Sequence, residues 1–362
     1  MKKVAIILIN YKDYAKRYLP DCIESLRRQD YRGEMKIYVV DNATSSETAA
    51  YLSQLAPEAE LILNPNNDGF AKGNNDAMKL ALAAGYDYII LFNMDTIIKK
   101  SCVRKMVEAA EYKPDSKFKS LDSKPVGAVQ ARLMLWPKKD KINTLGNVTH
   151  FLGFGYGLGY REKFSPSRLA SDSLPDICYP SGAAVLFPRA ILEKVGLFDE
   201  EFWMYNEDQD LGWRIWLSGY RCVLAPKAVV YHKYQFARSI RQFYWLDRNR
   251  IIAILKNYHF LTLLLVAPAF VIMEMGLFLF SFKNGWLKEK LKIWGYFLLP
   301  RTWFYLIRAR RQAQALRQTK DKEIVKMFSG RIWYQEVDDW KLRLVNPIFE
   351  FYWRAARKVI FW

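Results

Sequence analysis

The stretch Val4-Ala5-Ile6-Ile7-Leu8-Ile9-Asn10-Tyr11 decides the fold, because six apolar residues, 4–9, lead without interruption into a polar end. Comparable apolar runs follow at 37–40, 61–63 and 88–92. Segments with helical spacing lie between these runs, at about 17–29, 46–55 and 70–84. Strand–helix alternation with such short connections predicts a Rossmann-like α/β fold, in which helices cover both faces of a mostly parallel central sheet.

Polar residues follow each of these four strands. In parallel sheets the carboxyl ends of the strands meet at one edge, and ligands bind just beyond that edge. The residues concerned are Asn10 and Tyr11, Asp41 and Asn42, Asn64 to Asn67, and Asn93 with Asp95. The sequence therefore predicts a ligand site at this edge of the sheet.

The turn after the fourth strand, Asn93-Met94-Asp95, carries a carboxylate with two possible uses. Oxygen ligands of this kind suit Mg²⁺ or Mn²⁺, and such an ion can bridge two phosphates. Aspartate after a strand is also a common turn former or helix cap. The motif by itself is compatible with both interpretations.

Three acidic residues, Glu207, Asp208 and Asp210, crowd the start of a predicted helix. The helix dipole alone favours carboxylates in a first turn. Their mutual repulsion calls for a compensating role, and a carboxylate held there is suited to taking a proton from a sugar hydroxyl. The nearby Trp203 and Tyr205 either stack on sugar faces or belong to the core.

The remaining elements up to residue 235 are predicted less sharply. Strands are expected at 126–132 and 183–187, a helix at 189–195, and a strand pair that ends at His232. Glycine alternates with bulky apolar residues at 151–160, which predicts a hairpin or a flap over the substrate. A lone histidine such as His232 is by itself more typical of a packed residue than of a metal ligand.

The last third of the chain differs in charge and hydropathy. Residues 236–362 carry 23 basic and 9 acidic residues, whereas residues 1–235 carry 32 and 28. The apolar run 257–282 contains a single charge, Glu274, for which the sequence indicates no partner. This run is long enough to cross a bilayer. Pro268, Gly276 and basic residues at both ends favour a broken re-entrant hairpin or an in-plane pair of helices over a crossing or a buried helix.

Basic residues interleaved with aromatic and aliphatic ones are typical of an interfacial segment, and favour an anionic membrane surface over nucleic acid. We therefore predict two domains, a catalytic α/β domain at 1–235 and a helical membrane-associating region at 236–362. The four scattered cysteines lack CxxC spacing, which argues against a zinc site or a disulfide framework and fits the cytosol.

An ordered set of motifs resembles glycosyltransferase family 2, and within it the rhamnosyltransferase-like branch. The set covers about residues 1–235: Leu8-Ile-Asn-Tyr11, Val40-Asp-Asn42, Asn67-Asp-Gly-Phe-Ala-Lys-Gly-Asn-Asn75, Asn93-Met-Asp95, Gly182-Ala-Ala184, Gly196-Leu-Phe-Asp199, Tyr205-Asn-Glu-Asp-Gln-Asp210 and His232. The resemblance implies a GT-A fold and inverting transfer of a sugar from a nucleotide diphospho-sugar, with rhamnose as the sugar that the branch suggests.

The resemblance also implies roles for individual residues. It makes Asp208 the general base, supported by Glu207 and Asp210, and it makes Asp95 the ligand of Mg²⁺ or Mn²⁺, with His232 as a possible further ligand. The residues it places around the nucleotide are Asn10, Tyr11, Asp41, Asn67, Gly73, Asn74, Asn75 and Asn93. The residues it places on the acceptor side are Gly182, Trp203 and Tyr205.

By the same likeness the donor is a dTDP- or UDP-sugar. Together with the basic tail, this predicts a polyprenyl-linked saccharide acceptor in cell-surface polysaccharide biosynthesis at the cytoplasmic face of the membrane. Asn93 replaces a first aspartate of the metal motif that many relatives have, which implies weaker metal affinity. The QxxRW signature of processive synthases is missing near Trp213-Arg214, which favours addition of one or a few sugars.

Other functions need sequence features that differ from these. A nucleotidyltransferase wants a glycine-rich, lysine-containing loop directly after the first strand, and a dehydrogenase wants GxGxxG there. Asn10-Tyr11-Lys12-Asp13 is neither. A catalytically silent membrane scaffold with the same fold is the remaining alternative, and the acidic residues at 207–210 together with Asp95 argue against it.

Overall fold

The apolar runs of the sequence form strands in the structure, a computed structural model that describes residues 1–112, 124–169, 174–234, 240–333 and 340–362. The strands are β1 (Val4–Tyr11), β2 (Met35–Asn42), β3 (Glu60–Asn64), β4 (Tyr88–Phe92), β5 (Thr96–Ile98), β6 (Val126–Leu135), β7 (Ile142–Thr144), β8 (Asn147–Thr149), β9 (Gly155–Gly157), β10 (Ala184–Pro188) and β11 (Arg221–His232).

The predicted helices form close to their expected positions as α1 (Tyr14–Arg27), α2 (Ser46–Leu55), α3 (Gly69–Ala83), α5 (Arg189–Val195) and α6 (Glu207–Leu217). The other helices are α4 (Cys102–Ala110), α7 (Ile240–Asn257), α8 (Phe260–Lys283), α9 (Leu287–Leu298), α10 (Pro300–Ala315), α11 (Asp321–Ile324) and α12 (Trp340–Val359). Short 3-10 turns occupy 166–169, 200–202 and 325–327.

The chain divides into two units. One consists of residues 1–147, 157–215 and 220–235, and the other of residues 148–156, 216–219 and 236–362. The first unit contains a large mixed sheet in the order β3-β2-β1-β4-β10-β6-β11-β5, with β7 paired to β6. Strands β8 and β9 form a separate two-stranded sheet, as the hairpin prediction for 151–160 requires.

The sheet is parallel over β3, β2, β1 and β4, which confirms the α/β prediction for the first hundred residues. Beyond β4 the sheet is mixed, because β10 runs antiparallel to both β4 and β6 while β11 is parallel to β6. In the β1–β2 register Asn10 lies opposite Asp41 and Tyr11 opposite Asn42. The polar strand ends therefore sit side by side at one edge.

Burial of one sheet face positions this edge. Val4, Ile6 and Leu8 alternate along β1 and pack in a core cluster with Leu19 and Ile23 of α1, all at most 1 % exposed. Each aliphatic side chain buried in this way contributes about 1.5–3 kcal/mol. Ala5 and Ile7, on the other face of β1, are also buried. Because the side-chain period of a strand is two, a one-residue slip would exchange the two sets of side chains between differently packed faces, so core packing favours the observed register.

The expected strand pair ending at His232 is wrong. Residues 221–232 form one strand, β11, whose pairing with β6 shifts register between Ala225 and Val229. Pro226 lies within this irregular part. The strand therefore accommodates Pro226 at a bulge, whereas in the sequence this proline suggests a turn between two strands.

In the second unit, the predicted break in the apolar run is also wrong. Residues 260–283 form the single helix α8, with Pro268 inside it. One proline removes only one hydrogen bond of the ladder, and the helix continues through Gly276 without interruption. The buried-helix alternative fails as well, because only 11 % of its most apolar window is buried.

Arg214 of α6 secures the end of α5 in the first unit. Its Nε donates to Oδ2 of Asp210 at 2.9 Å, its Nη1 to the carbonyl of Val195 at 2.6 Å and its Nη2 to that of Leu197 at 2.7 Å. Both Asp210 and Arg214 are buried. The ion pair therefore fixes the segment that leads from α5 to α6.

Replacement of Arg214 by methionine should lower the free energy of unfolding by about 3–5 kcal/mol, because the variant loses the buried ion pair with Asp210 and the hydrogen bonds to the carbonyls of Val195 and Leu197. Arg189→Met is the matched control, since Arg189 pairs with Glu193 on the exposed side of α5, and an exposed pair contributes at most about 1 kcal/mol. Denaturant titration measures both variants. Equal losses would contradict the structural role of Arg214.

Candidate active site

Asp41 stands at the centre of the polar strand ends. It is fully buried, and its Oδ1 accepts a hydrogen bond from Nδ2 of Asn10 at 2.7 Å. Its Oδ2 accepts one from the Thr48 hydroxyl at 2.7 Å. Asn10 in turn accepts the backbone N–H of Ala15 at 2.7 Å. The carboxylate is therefore held in one orientation by two side chains from different elements.

The Asp95 carboxylate, after β4, faces the imidazole of His232 at the end of β11. Asp95 Oδ1 and His232 Nε2 are 3.1 Å apart, and the other ring nitrogen, Nδ1, lies 2.9 Å from Oδ1 of Asn143. The Tyr14 hydroxyl also bonds to Asp95. Burial would raise the pKa of Asp95, but His232 and Tyr14 outweigh it and hold this pKa below its usual value.

A carboxylate oxygen beside an imidazole nitrogen is a donor set that fits Mg²⁺ or Mn²⁺ as a partial site. Within the described ranges no group of three or more His, Cys, Asp or Glu residues could hold a metal ion by itself. Magnesium is commonly bound by one or two carboxylates, with substrate phosphates completing its coordination. The pair is therefore compatible with a metal that arrives with a diphosphate.

Asp208 lies at the start of α6, with its carboxylate held by backbone groups. Oδ2 accepts the N–H of Gly182 at 3.2 Å and Oδ1 that of Gln209 at 2.8 Å. Burial raises the pKa of Asp208 to about 6, and these two N–H groups moderate the rise. A carboxyl group with this pKa is suited to proton transfer near neutral pH.

Glu207, the neighbour of Asp208, is buried, and its Oε2 has no hydrogen-bond partner among the described residues. Burial raises the pKa of Glu207 well above its usual value, and the charge of Asp208 adds to the rise. Asp210 differs from both, because it is ion-paired with Arg214. The three acidic residues therefore have two kinds of environment, one of them without a counter-charge in the described structure.

Asp208 and Asp95 are connected by a short path of backbone bonds. The N–H of Asn93, two residues before Asp95, donates to the carbonyl of Ala183 at 3.1 Å. Ala183 follows Gly182, whose N–H binds Asp208. The strands β4 and β10, which pair antiparallel, thus bring the metal motif and the acidic helix start together.

The turn before α6 has an unusual backbone. Trp203, Tyr205 and Asn206 have φ angles of 58°, 70° and 65°, the left-handed region that non-glycine residues seldom adopt. The carbonyl of Trp203 accepts the N–H of Ala71 at 3.1 Å, and its indole Nε1 donates to the carbonyl of Asn67 at 3.3 Å. Strain of this kind concentrates at functional sites.

The asparagines of α3 are engaged in packing. Asn74 donates to the carbonyl of Phe70 at 2.8 Å. Asn75 donates to the carbonyl of Phe198 at 2.9 Å and accepts the N–H of the same residue at 3.1 Å. Gly73 allows Asn42 to approach, because a Cβ at residue 73 would lie 3.1 Å from its Nδ2.

Sequence reasoning missed three residues that orient the acidic groups: Tyr14, Thr48 and Asn143. Thr48 had a signal, since Ser45 and Thr48 form a reciprocal cap at the start of α2. Tyr14 follows the polar end of β1 by three residues. Asn143 lies on the short strand β7, and no pattern in the sequence points to it. Tyr11 lies at the same edge and is 42 % exposed.

Gly69 offers a test of the contact between α3 and the strained turn. Its φ is +80°, and an added Cβ would lie 2.5 Å from both the carbonyl oxygen and the indole of Trp203. A left-handed conformation alone costs an alanine about 1–2 kcal/mol. We expect Gly69→Ala to lower the free energy of unfolding by clearly more than this amount. Gly85→Ala is the control, because its φ is +79° and its nearest atom is 3.7 Å away. Equal losses in denaturant titrations would exclude a tight contact.

The sequence and the fold are both similar to known proteins. Residues 5–167 match the family described as Glycosyl transferase family 2, and residues 88–307 match Glycosyl transferase family group 2. N-acetylglucosaminyl-diphospho-decaprenol L-rhamnosyltransferase of Mycobacterium tuberculosis is 26 % identical over 208 residues, 55 % of this chain. Poly-beta-1,6-N-acetyl-D-glucosamine synthase of Staphylococcus aureus is 24 % identical over 196 residues, 54 % of this chain. The chain covers 66 % of the length of the first and 42 % of the second.

Two solved structures share the fold. S. aureus TarS in complex with UDP-GlcNAc has a TM-score of 0.51 and 18 % identity, over 98 % of this chain and 88 % of that one. GalNAc-T7 with UDP, GalNAc and Mn²⁺ has a TM-score of 0.50 and 12 % identity, over 70 % of this chain and 48 % of that one. The predicted GT-A fold is thereby confirmed. Since the match to the family group extends over more than half of the sequence, the chain belongs to glycosyltransferase family 2.

Proposed function

We propose that this family 2 member is an inverting glycosyltransferase that moves a sugar from a nucleotide diphospho-sugar to a saccharide acceptor, with Asp208 as the general base. One observation carries the proposal. A half-buried carboxylate with a pKa of about 6 stands at the start of α6, and the N–H of Gly182 and the Asn93–Ala183 backbone hydrogen bond connect it to the turn that carries Asp95.

The donor belongs at the edge formed by β1, β2 and β4. Asn10 and Asp41 offer oriented polar groups for a nucleoside there, and Asn67 and Asn93 are the next polar positions. TarS in complex with UDP-GlcNAc shares the fold, which supports a nucleotide-sugar donor, a UDP- or dTDP-sugar. The rhamnosyltransferase among the relatives supports rhamnose as one transferred sugar.

Asp95, with His232 as a further ligand, would hold Mg²⁺ or Mn²⁺, and such an ion neutralises the charge of a departing diphosphate. The structure of GalNAc-T7 with Mn²⁺ supports this assignment by its fold. The lowered pKa of Asp95 keeps this side chain ionised, as a ligand must be.

In the proposed reaction, Asp208 takes the proton of an acceptor hydroxyl. The hydroxyl oxygen forms a bond to the anomeric carbon as the bond from that carbon to the diphosphate oxygen breaks. Attack opposite the leaving group inverts the anomeric centre in a single displacement. Gly182 holds Asp208 in place through its N–H, and Trp203 and Tyr205 border the acceptor side.

We further propose that residues 1–235 are the catalytic domain and that residues 236–362 place the enzyme at the cytoplasmic face of the membrane. The decaprenol-linked acceptor in the name of the M. tuberculosis relative supports a polyprenyl-linked saccharide acceptor. The exposed apolar residues and the basic charge of the C-terminal unit support membrane contact. One helix in the described ranges, α8, has the length and composition to cross a membrane.

Asp208→Asn should lower kcat by about 10²–10⁴, because a positioned base contributes that much. Nucleotide-sugar binding, measured by calorimetry, should persist. For the unaltered enzyme kcat/KM should rise with pH up to about 6 and then level off, since only ionised Asp208 accepts a proton. The exposed Asp140→Asn serves as the control. Normal turnover of the Asp208 variant would exclude the base assignment.

Asp95→Asn should weaken Mn²⁺ binding in the presence of UDP by at least about tenfold, since the carboxylate is the stronger of the two ligands proposed. Calorimetric titration of Mn²⁺ into protein with UDP measures this, and His232→Gln should have a smaller effect of the same sign. Asp140→Asn should leave the affinity unchanged. Unaltered Mn²⁺ affinity in both site variants would remove the proposed metal role.

A further inference from the structure

Helix α8 is exposed along one side for its whole length. Five apolar side chains on that side are 55–66 % exposed and follow one another at intervals of one to seven residues: Leu264, Val271, Ile272, Met275 and Leu279. The opposite side is buried through Val266, Ala269 and Met273. The helix is about 36 Å long at about 1.5 Å per residue. An apolar surface of this length, open on one side only, is suited to lateral contact.

Helices that contact α8, directly or through α9, extend the apolar exposure. Trp294 of α9 stacks on Phe278 of α8 with ring centroids 4.9 Å apart and is itself 38 % exposed. Further exposed apolar residues lie on α9, α10 and α12: Leu291, Leu298, Trp303, Phe304, Ile307, Leu344, Ile348 and Phe351. Exposed patches of this size mark interaction sites.

Charge on the exposed positions of this unit is of one sign. Among its described side chains every exposed ionisable residue is basic, and the acidic ones, such as Glu289 and Glu350, are buried or half-buried. The exposed basic residues are Lys283, Lys288, Lys292, Arg301, Arg308, Arg311, Lys320, Lys322, Lys326, Arg354, Arg357 and Lys358. Tryptophan and aliphatic residues beside lysine and arginine are the composition of interfacial helices on anionic lipid.

The middle of α8 is tied to its neighbours by a closed ring of four charges. Lys290 of α9 donates to Asp247 of α7 at 2.6 Å and to Glu274 of α8 at 2.7 Å. Arg250 of α7 pairs with the same two carboxylates. The two positive charges balance the two negative ones, so Glu274, which the sequence left without a partner, has two.

The ring decides between two orientations of α8. Glu274 is the fifteenth residue of a 24-residue helix, so it lies near the middle of its length. Were α8 to cross a bilayer, Asp247, Arg250 and Lys290 would be drawn to about the same depth in the hydrocarbon. Charged groups at that depth are costly. A helix in the plane of the surface instead keeps the ring on the protein side and its apolar side in lipid.

We propose that α8, α9, α10 and α12 form a docking surface for an anionic phospholipid bilayer, with α8 lying in the plane of one leaflet without crossing it. This inference rests on the proposed function in one respect, which is the choice of a membrane as the partner. The mode of attachment keeps both ends of α8 on the same side. A spanning α8 and a preference for nucleic acid are the contrary outcomes that the following experiments would recognise.

The orientation is tested by labelling with a membrane-impermeant maleimide. The native cysteines, Cys22, Cys102, Cys178 and Cys222, are all buried and give a low background. His259→Cys and Asn284→Cys place a thiol at the two capping positions of α8, away from its exposed apolar side. Full-length protein is bound to the outside of sealed phosphatidylglycerol–phosphatidylcholine vesicles. We expect both thiols to react to similar extents, and detergent to change neither by more than about twofold; protection of one end until detergent is added would overturn the proposal.

The docking surface is tested by vesicle flotation. Ile272→Gln with Leu279→Gln should reduce binding at least about tenfold, because both side chains would lose most of their transfer free energy. Leu63→Gln with Leu80→Gln, at exposed positions of the first unit, is the matched control and should change binding less than twofold. Arg308→Ala with Arg311→Ala should reduce binding to anionic vesicles roughly 30-fold. Equal effects of the apolar pair and the control pair would overturn the assignment.

Two further outcomes are informative. Binding to a DNA oligonucleotide in preference to vesicles, at equal ionic strength, would overturn the choice of lipid. Transfer from a nucleotide sugar to a water-soluble acceptor glycoside is measured in parallel for every variant. Retained transfer with lost flotation leaves the catalytic proposal standing, and retained flotation in an inactive Asp208→Asn protein leaves the membrane inference standing, so the two fail independently.

Discussion

The parallel register of β1, β2 and β4 is the constraint on which the candidate site depends. It places Asn10 opposite Asp41 and brings the turn after β4 to the same edge. Both faces of β1 are buried, and the packing of apolar side chains on each face favours this register. The polar groups of the site are thus positioned by the packing of the core.

Buried charge is of two kinds in this structure. Asp247, Arg250, Glu274 and Lys290 form a ring in which each charge has partners of the other sign, and Asp210 pairs with Arg214. Burial would raise the pKa of Asp247, but Arg250 and Lys290 lower it. Glu207, which is buried, and Asp208, which is half-buried, are neighbouring like charges, and their pKa values rise. Compensated charge stabilises a packing arrangement, whereas uncompensated charge is expected where protons are exchanged.

Much of the fold and of the candidate site could be predicted from the periodicity of the sequence. The strands and helices of the first hundred residues follow from runs of β-branched residues and helical spacing, and the site edge follows from polar residues at strand ends. The errors have local causes. In the sequence Pro226 and Pro268 suggest the ends of a strand and a helix, yet Pro226 lies at a bulge within β11 and Pro268 lies inside α8. The assistance that Tyr14 and Asn143 give to Asp95 and His232 depends on contacts across more than 80 residues, which no local pattern encodes.

Trp203 joins two parts of the first unit that are far apart in sequence. Its carbonyl and its indole hold residues 67–71, and the turn that it begins leads within five residues to Asp208. A ligand that shifts the loop before α3 therefore also shifts the turn before α6. By thermodynamic reciprocity, a molecule that occupies the space beside Asp208 alters affinity at the loop by the same factor. Binding at the two places would then be coupled through the backbone alone, without the movement of a domain.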